Sequence, residues 1–141
     1  MCNANYIKKL VNKIIEKYDV NPFNIVNSLK RIEFNAQPLT KNINGFYKYI
    51  SLNQQIIVIN SELNKAEFIF TLCHELGHYF LEHKNTLLLN SSFTMNLKEE
   101  YQADLFATYL YYRYVKSFEN NDLFYYPSRA QELLYKLLNT N

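Results

Sequence analysis

The chain has 141 residues, 48% of them hydrophobic and 20% charged, enough to bury a core and too apolar for a disordered segment. The net charge of +2 is too small and too scattered to mark a direct nucleic-acid surface. Two cysteines, Cys2 and Cys73, give no disulfide framework. The absence of a leader-like start and of any long apolar run argues against a membrane protein, so the chain reads as one cytoplasmic domain over residues 1–141.

Residues 6–18 place Ile7, Leu10, Val11, Ile14, Ile15 and Tyr18 at helical spacing. Asn21-Pro22 then reads as a cap with proline in the first turn, opening a shorter helix through Ile25, Val26 and Leu29 to about Lys30. Residues 32–36 alternate weakly as a first strand, closed by Gln37-Pro38. Two aromatic and β-branched runs, 45–50 and 55–60, predict a β-hairpin with residues 51–54 as its connection. Residues 66–83 contain no proline, and Phe68, Ile69, Leu72, Cys73, Leu76, Tyr79 and Phe80 form an apolar stripe at helical spacing. Thr71, His74, His78 and Glu82 project from the other side. The predicted helix therefore buries one face and offers polar groups on the opposite one. Residues 84–96 read as polar and irregular, with Leu87-Leu88-Leu89 as an apolar island. A second long helix is predicted from Leu97 to about Ser117, on which Ala103 and Ala107 allow close approach to a neighbour. Residues 119–122 read as a loop, and Pro127-Ser128 leads into a last helix over 129–138.

His74-Glu75-Leu76-Gly77-His78 spells H-E-x-x-H on the first of these long helices. Positions four apart share a helix face, so both imidazoles can reach one metal ion from the same side. Glu75 lies between them in angle, placed to hold a water and take its proton. Glu100, from the second long helix, would be a third ligand. A fourth position left open is what separates a catalytic zinc site from a structural one. The predicted cofactor is therefore one Zn²⁺ held by His74, His78 and Glu100, with Glu75 as general base. Asp104, one turn past Glu100, is placed to accept the far N–H of a ligand histidine, His74 by preference. A chance H-E-x-x-H and, for Asp104, a plain solvated charge are the competing readings. Cys73 points about 100° away from His74 and reads as core. His83 lies about 500° round a continuing helix from His78 and reads as a helix end or part of the cleft rim. Glu82 could serve as a third ligand only by contortion. Among 13 tyrosines, none is nominated as an oxyanion donor.

The order of elements is N-terminal helices, a small mixed or antiparallel sheet, the H-E-x-x-H helix, the third-ligand helix and a C-terminal helix. This is an α+β arrangement, the plan of small zincin-like metallopeptidases. In such folds an edge strand beside the metal cleft binds extended substrate by strand addition. Ile56, Ile57, Val58 and Ile59 are the candidates, because their run directly precedes the motif helix. A fully buried strand is the equal alternative.

With these residues in place, the chain resembles the ImmA/IrrE family of metallopeptidases over roughly residues 40–112. The match runs through Asn44-Gly45-Phe46, the strand at 56–60 and Phe70-Thr71-Leu72-Cys73-His74-Glu75-Leu76-Gly77-His78. It continues through Glu100-x-Gln102-Ala103-Asp104-x-Phe106-Ala107, against the family's E-x-E-A-(D/N)-x-F-A. The chain departs from that pattern in two places. Gln102 stands where many relatives carry a second Glu, and Tyr109-Leu110-Tyr111-Tyr112-Arg113 replaces the usual L-L-x-P ending. The resemblance implies a protein substrate, a helix-turn-helix repressor of a phage, mobile element or stress-response system. The alternative class is a non-proteolytic metal-binding regulator or toxin–antitoxin-type partner. Retention of Glu75 argues for catalysis, since a structural zinc site needs no base.

Overall fold

The computed structural model describes residues 3–84, 97–118 and 125–139. The irregular segment expected through residue 96, with its Leu87-Leu88-Leu89 island, and the loop expected at 119–122 lie outside the described residues, apart from Lys84.

Each helix starts where a side chain can satisfy its free N–H groups. Helix α1, Ala4–Lys17, begins two residues before the expected start at Tyr6 because Asn3 accepts a hydrogen bond from the Tyr6 N–H at 2.9 Å. Helix α2, Pro22–Ser28, is capped by Asn21, which accepts from the Phe23 N–H at 2.8 Å. It stops short of Lys30 because Leu29 is already extended. Helix α3, Lys65–Phe80, is capped by Asn64. Helices α4, Leu97–Lys116, and α5, Ser128–Leu138, complete the set.

Strands β1, Ile32–Gln37, β2, Gly45–Ser51, and β3, Gln54–Asn60, form a mixed three-stranded sheet. The spatial order is β1-β3-β2, with β1 parallel and β2 antiparallel to β3. The β2–β3 hairpin is tighter than its sequence suggests. Ser51 pairs with Gln54, leaving only Leu52-Asn53 in the turn, with an irregularity between Tyr49 and Ser51. The edge-strand expectation for Ile56, Ile57, Val58 and Ile59 is overturned. Strand β3 is the middle strand, with its backbone groups committed to neighbours on both sides, and Ile57, Val58 and Ile59 are buried. The apolar run is what a strand covered on both faces requires.

Helix α3 lies against the sheet on one side and α4 on the other. Its polar side is therefore not open: Thr71, Glu75 and His78 are buried along with Ile69, Leu72, Cys73 and Leu76. Ala103 and Ala107 of α4 are fully buried, and Phe106 lies against the Cα of Gly77. One continuous core draws Ile7 and Val11 of α1, Ile25 of α2, Ile59 of β3, Leu72 and Leu76 of α3, Leu110 of α4 and Leu137 of α5 together.

The end of α3 is abrupt. Glu82 adopts φ 58°, and the Glu82 and His83 N–H groups donate back to Tyr79 O and His78 O at 3.1 and 2.9 Å. This is the paired closing bond of a Schellman turn, with glutamate where glycine is usual, at a cost of about 1–2 kcal/mol. The turn swings His83 back beneath His78 instead of letting it continue round the helix.

A Cβ on Gly77 would meet three Phe106 atoms at 3.2 Å. Gly77→Ala recovers up to about 1 kcal/mol of helix propensity against that squeeze and is expected to be close to neutral. Gly77→Leu cannot fit between α3 and α4 and is expected to lower the unfolding free energy by about 1–3 kcal/mol, read from urea midpoints. Wild-type stability in Gly77→Leu would mean that the contact is looser than described.

Candidate metal centre

His74 and His78 stand one turn apart on α3, and α4 brings Glu100 against both. Glu100 Oε1 lies 3.1 Å from His74 Nε2, Glu100 Oε2 lies 3.0 Å from His78 Nε2, and the two Nε2 atoms are 3.2 Å apart. Ligand atoms of His74, Glu75 and His78 also fall within 4.8 Å of one another. Donor atoms around a tetrahedral zinc at 2.0–2.1 Å would be separated by about 3.3 Å, so the observed triangle needs to open by only a few tenths of an ångström. Two imidazole nitrogens and a carboxylate facing one point need positive charge among them, a proton in the metal-free protein or a bound cation. The donor set therefore fits zinc. Glu82, exposed and beyond the end of α3, is not among the converging groups.

Each histidine is held from behind. His74 Nδ1 faces Asp104 Oδ1 at 2.8 Å, and Asp104 Oδ2 accepts from Arg129 Nε of α5 at 2.9 Å. His78 Nδ1 faces His83 Nδ1 at 2.9 Å, and His83 Nε2 faces the Gln102 side-chain oxygen at 2.9 Å. The ring of Tyr47, from β2, stacks on His78 with centroids 6.1 Å apart. The sequence placed Asp104 but missed the roles of His83, Gln102, Arg129 and Tyr47. His83, expected at a helix end or the cleft rim, does follow the end of α3, but its contact with His78 was not foreseen because nothing in the residues around Glu82 announces a left-handed turn. Arg129 was invisible because it reaches the site from a helix distant in the chain.

The electrostatics follow from this packing. For His74 burial works against the charged form, but the hydrogen bonds to Asp104 and Glu100 outweigh it and push the imidazolium pKa up to about 10. For Glu100 burial again opposes charge, and the two histidines more than reverse it, holding the carboxyl well below its ordinary range. Asp104 is likewise lowered, against its burial, by His74 and Arg129. Glu75 moves the other way, with burial pushing its carboxyl up despite both histidines. A raised carboxyl pKa suits a group that must both take and return a proton.

His74, Glu75 and Glu100 open onto a cleft of about 440 Å³. Asn44 and Gly45 line it at the head of β2, Phe70 and Thr71 from α3, and Ser128 and Arg129 from α5. Asn60 holds the β2 side in place. Its side-chain oxygen accepts from the Leu39 and Glu62 N–H groups, its amide donates to Ile43 O, and its backbone N–H donates to Asn44 O. Gly45 has no room for a Cβ, which would lie 2.8 Å from Val58 O and 3.0 Å from Thr71 Cγ2.

Residues 30–114 match a peptidase family described as the IrrE N-terminal-like domain. An uncharacterized immunity region protein of Bacillus phage phi105 is 39% identical over 109 residues, covering 74% of this chain and 66% of that protein. The metallopeptidase ImmA of Bacillus subtilis strain 168 is 32% identical over 107 residues, covering 74% of this chain and 62% of the relative. The matched stretch thus spans less than two thirds of either relative. Helices α1, α2 and α5, with Arg129, lie outside the stretch matched to the family.

The raised His74 pKa has a signed consequence for the metal-free protein. Its stabilising contribution is complete below about 6.5, the ordinary histidine value, and is lost as pH rises through about 10. Urea midpoints of chelator-treated protein are expected to fall across that window, and Asp104→Asn to flatten the fall. A wild-type slope no steeper than that of Asp104→Asn would mean that the pair does not hold the proton. Asp104→Asn is also expected to weaken zinc on the order of 10–100-fold in a chelator competition.

Proposed function

This chain belongs to the IrrE N-terminal-like domain family, and on that footing we propose that it is a zinc-dependent endopeptidase. The observation that carries the proposal is the convergence of His74 Nε2, His78 Nε2 and the Glu100 carboxylate on one point, with buried Glu75 beside it at the cleft floor. The name metallopeptidase carried by one relative supports it. Bound by His74, His78 and Glu100, zinc would supply Lewis acidity for the scissile carbonyl and bring the pKa of water at the site to about 7.

The chain's own residues do the rest. Glu75 takes the proton of the attacking water on its carboxylate and hands it to the leaving amine nitrogen as the peptide bond breaks. Asp104 accepts the Nδ1–H of His74 and keeps that ring's Nε2 directed at the metal point. Arg129 holds Asp104 ionised while its guanidinium borders the cleft. The strand-addition role, withdrawn from β3, passes to β2. That strand is one of the two edges of the sheet among the described residues, β1 being the other, and it is the β2 head at Asn44-Gly45 that lines the cleft. An extended substrate segment laid along β2 would bring its backbone across Glu75.

The proposed substrate is a helix-turn-helix repressor, cut at one or a few bonds in a locally unfolded segment. The resemblance to ImmA/IrrE proteins implies it, and the immunity-region name of the phage relative is in keeping with it. The proposed compartment is the cytoplasm, where such a repressor resides. No described helix is long and apolar enough to cross a membrane.

His74→Ala, His78→Ala and Glu100→Ala are each expected to lose stoichiometric zinc by metal analysis. Glu75→Gln is expected to keep it while cleavage of the cognate repressor falls about 10²-fold or more. Casein is expected to be cut poorly by the wild type. Repressor binding without cleavage by zinc-loaded wild type would favour the regulator over the enzyme, and rapid casein digestion would point to a broad protease.

A further inference from the structure

Resting on that zinc assignment, we propose that His83 and Gln102 form a buried relay that fixes the tautomer of His78, making His83 a positioning residue for the second imidazole ligand. The inference starts from the two Nδ1 atoms of His78 and His83, 2.9 Å apart. Two ring nitrogens at that distance share one hydrogen, and which ring owns it decides what His78 can offer the metal. If His78 accepted at Nδ1, its hydrogen would sit on Nε2, pointing at the metal position, and no lone pair would remain there.

The other end of the chain of contacts settles the direction. His83 Nε2 lies 2.9 Å from the Gln102 side-chain oxygen, which only accepts. Nε2 of His83 therefore carries the hydrogen, and its Nδ1 is bare. His78 Nδ1 must donate to it, and the Nε2 of a neutral His78, which faces Glu100 and His74, then keeps its lone pair for zinc. His78 and His83 are both buried, at 2% and 5% exposure, so water is a poor substitute for either partner.

The two ligand histidines are thus oriented by different chemistry. His74 is held by a carboxylate backed by an arginine, and His78 by a neutral imidazole backed by an amide. The neutral relay brings no extra charge into the buried side of the site, where Glu75, Glu100 and Asp104 already supply three carboxylates. It also ties the segment just past α3 to α4 through Gln102, in addition to the contacts that Glu100 and Asp104 make with the two ligand histidines. The left-handed Glu82 is what makes it possible, since His83 on an uninterrupted helix would point away from His78.

Zinc affinity, read by competition with a chromophoric chelator, tests the relay without reference to peptidase activity. His83→Phe is expected to bind zinc on the order of 10–100-fold more weakly. His83→Asn, whose side-chain oxygen can stand where Nδ1 stands, is expected to recover part of that loss. Gln102→Leu keeps His83 in place while removing its acceptor, and is expected to show a smaller loss with an unchanged melting curve. In ¹⁵N NMR of the zinc-loaded wild type, a scalar coupling between the two Nδ1 nuclei and a hydrogen on His83 Nε2 are the direct signatures. Wild-type affinity in a folded His83→Phe, or His83→Asn no better than His83→Phe, would overturn the relay. A wild type that takes up no stoichiometric zinc would instead overturn the proposed function, so the two failures are distinguishable.

Discussion

The close approach of α3 and α4 is the constraint on which the rest depends. Two donors come from one helix and the third from the other, so the shape of the donor triangle is set by how far apart the helices lie. Gly77 of α3 leaves room for Phe106 of α4 to pack against it, and the buried Ala103 and Ala107 of α4 add little bulk. Side chains in a close-packed core have little room to readjust. The core contact and the ligand geometry are therefore one feature, and a bulkier residue at Gly77 would act on both.

Bringing those groups together also concentrates charge in a poorly solvated place. Without a metal, His74 holds a proton between Asp104 and Glu100, and Glu75 is pushed toward its neutral form. A divalent cation held by His74, His78 and Glu100 would take the place of that proton, and its affinity would then depend on pH and on the stability of the metal-free protein. Arg129 and the His83–Gln102 pair complete the arrangement from behind. Every converging ring nitrogen then has a partner on its far side.

The cleft is a composite of segments far apart in the chain. Its floor belongs to α3 and α4, one wall to the head of β2 as tied down by Asn60, and the other to the start of α5. The floor and the β2 wall lie inside the stretch matched to the family, while the α5 wall lies outside it. His74, Glu75, His78 and Glu100 thus lie in the part of the chain that matches the family. Arg129, on α5, lies outside that stretch.

Much of this was legible in the residues. Helical spacing and the Asn21-Pro22 and Pro127-Ser128 boundaries located the described helices to within a few residues, because caps and apolar periodicity act over one or two turns. H-E-x-x-H brought His74, Glu75 and His78 together, since positions four apart on a helix are neighbours whatever the fold around them. Glu100 and Asp104 were legible as one helical face for the same reason. The order of strands was not. An apolar run such as Ile56 to Ile59 suits an edge strand with one covered face or a middle strand with two, and only its pairing with both β1 and β2 decided between them. The reach of Arg129 to Asp104 and the return of His83 beneath His78 were equally out of view. One depends on the packing of α5 against α4, the other on a single left-handed backbone at Glu82. Local sequence determines which groups can share a helix face. Which faces meet, and which nitrogen of a ring then keeps its lone pair, is decided only when distant segments pack.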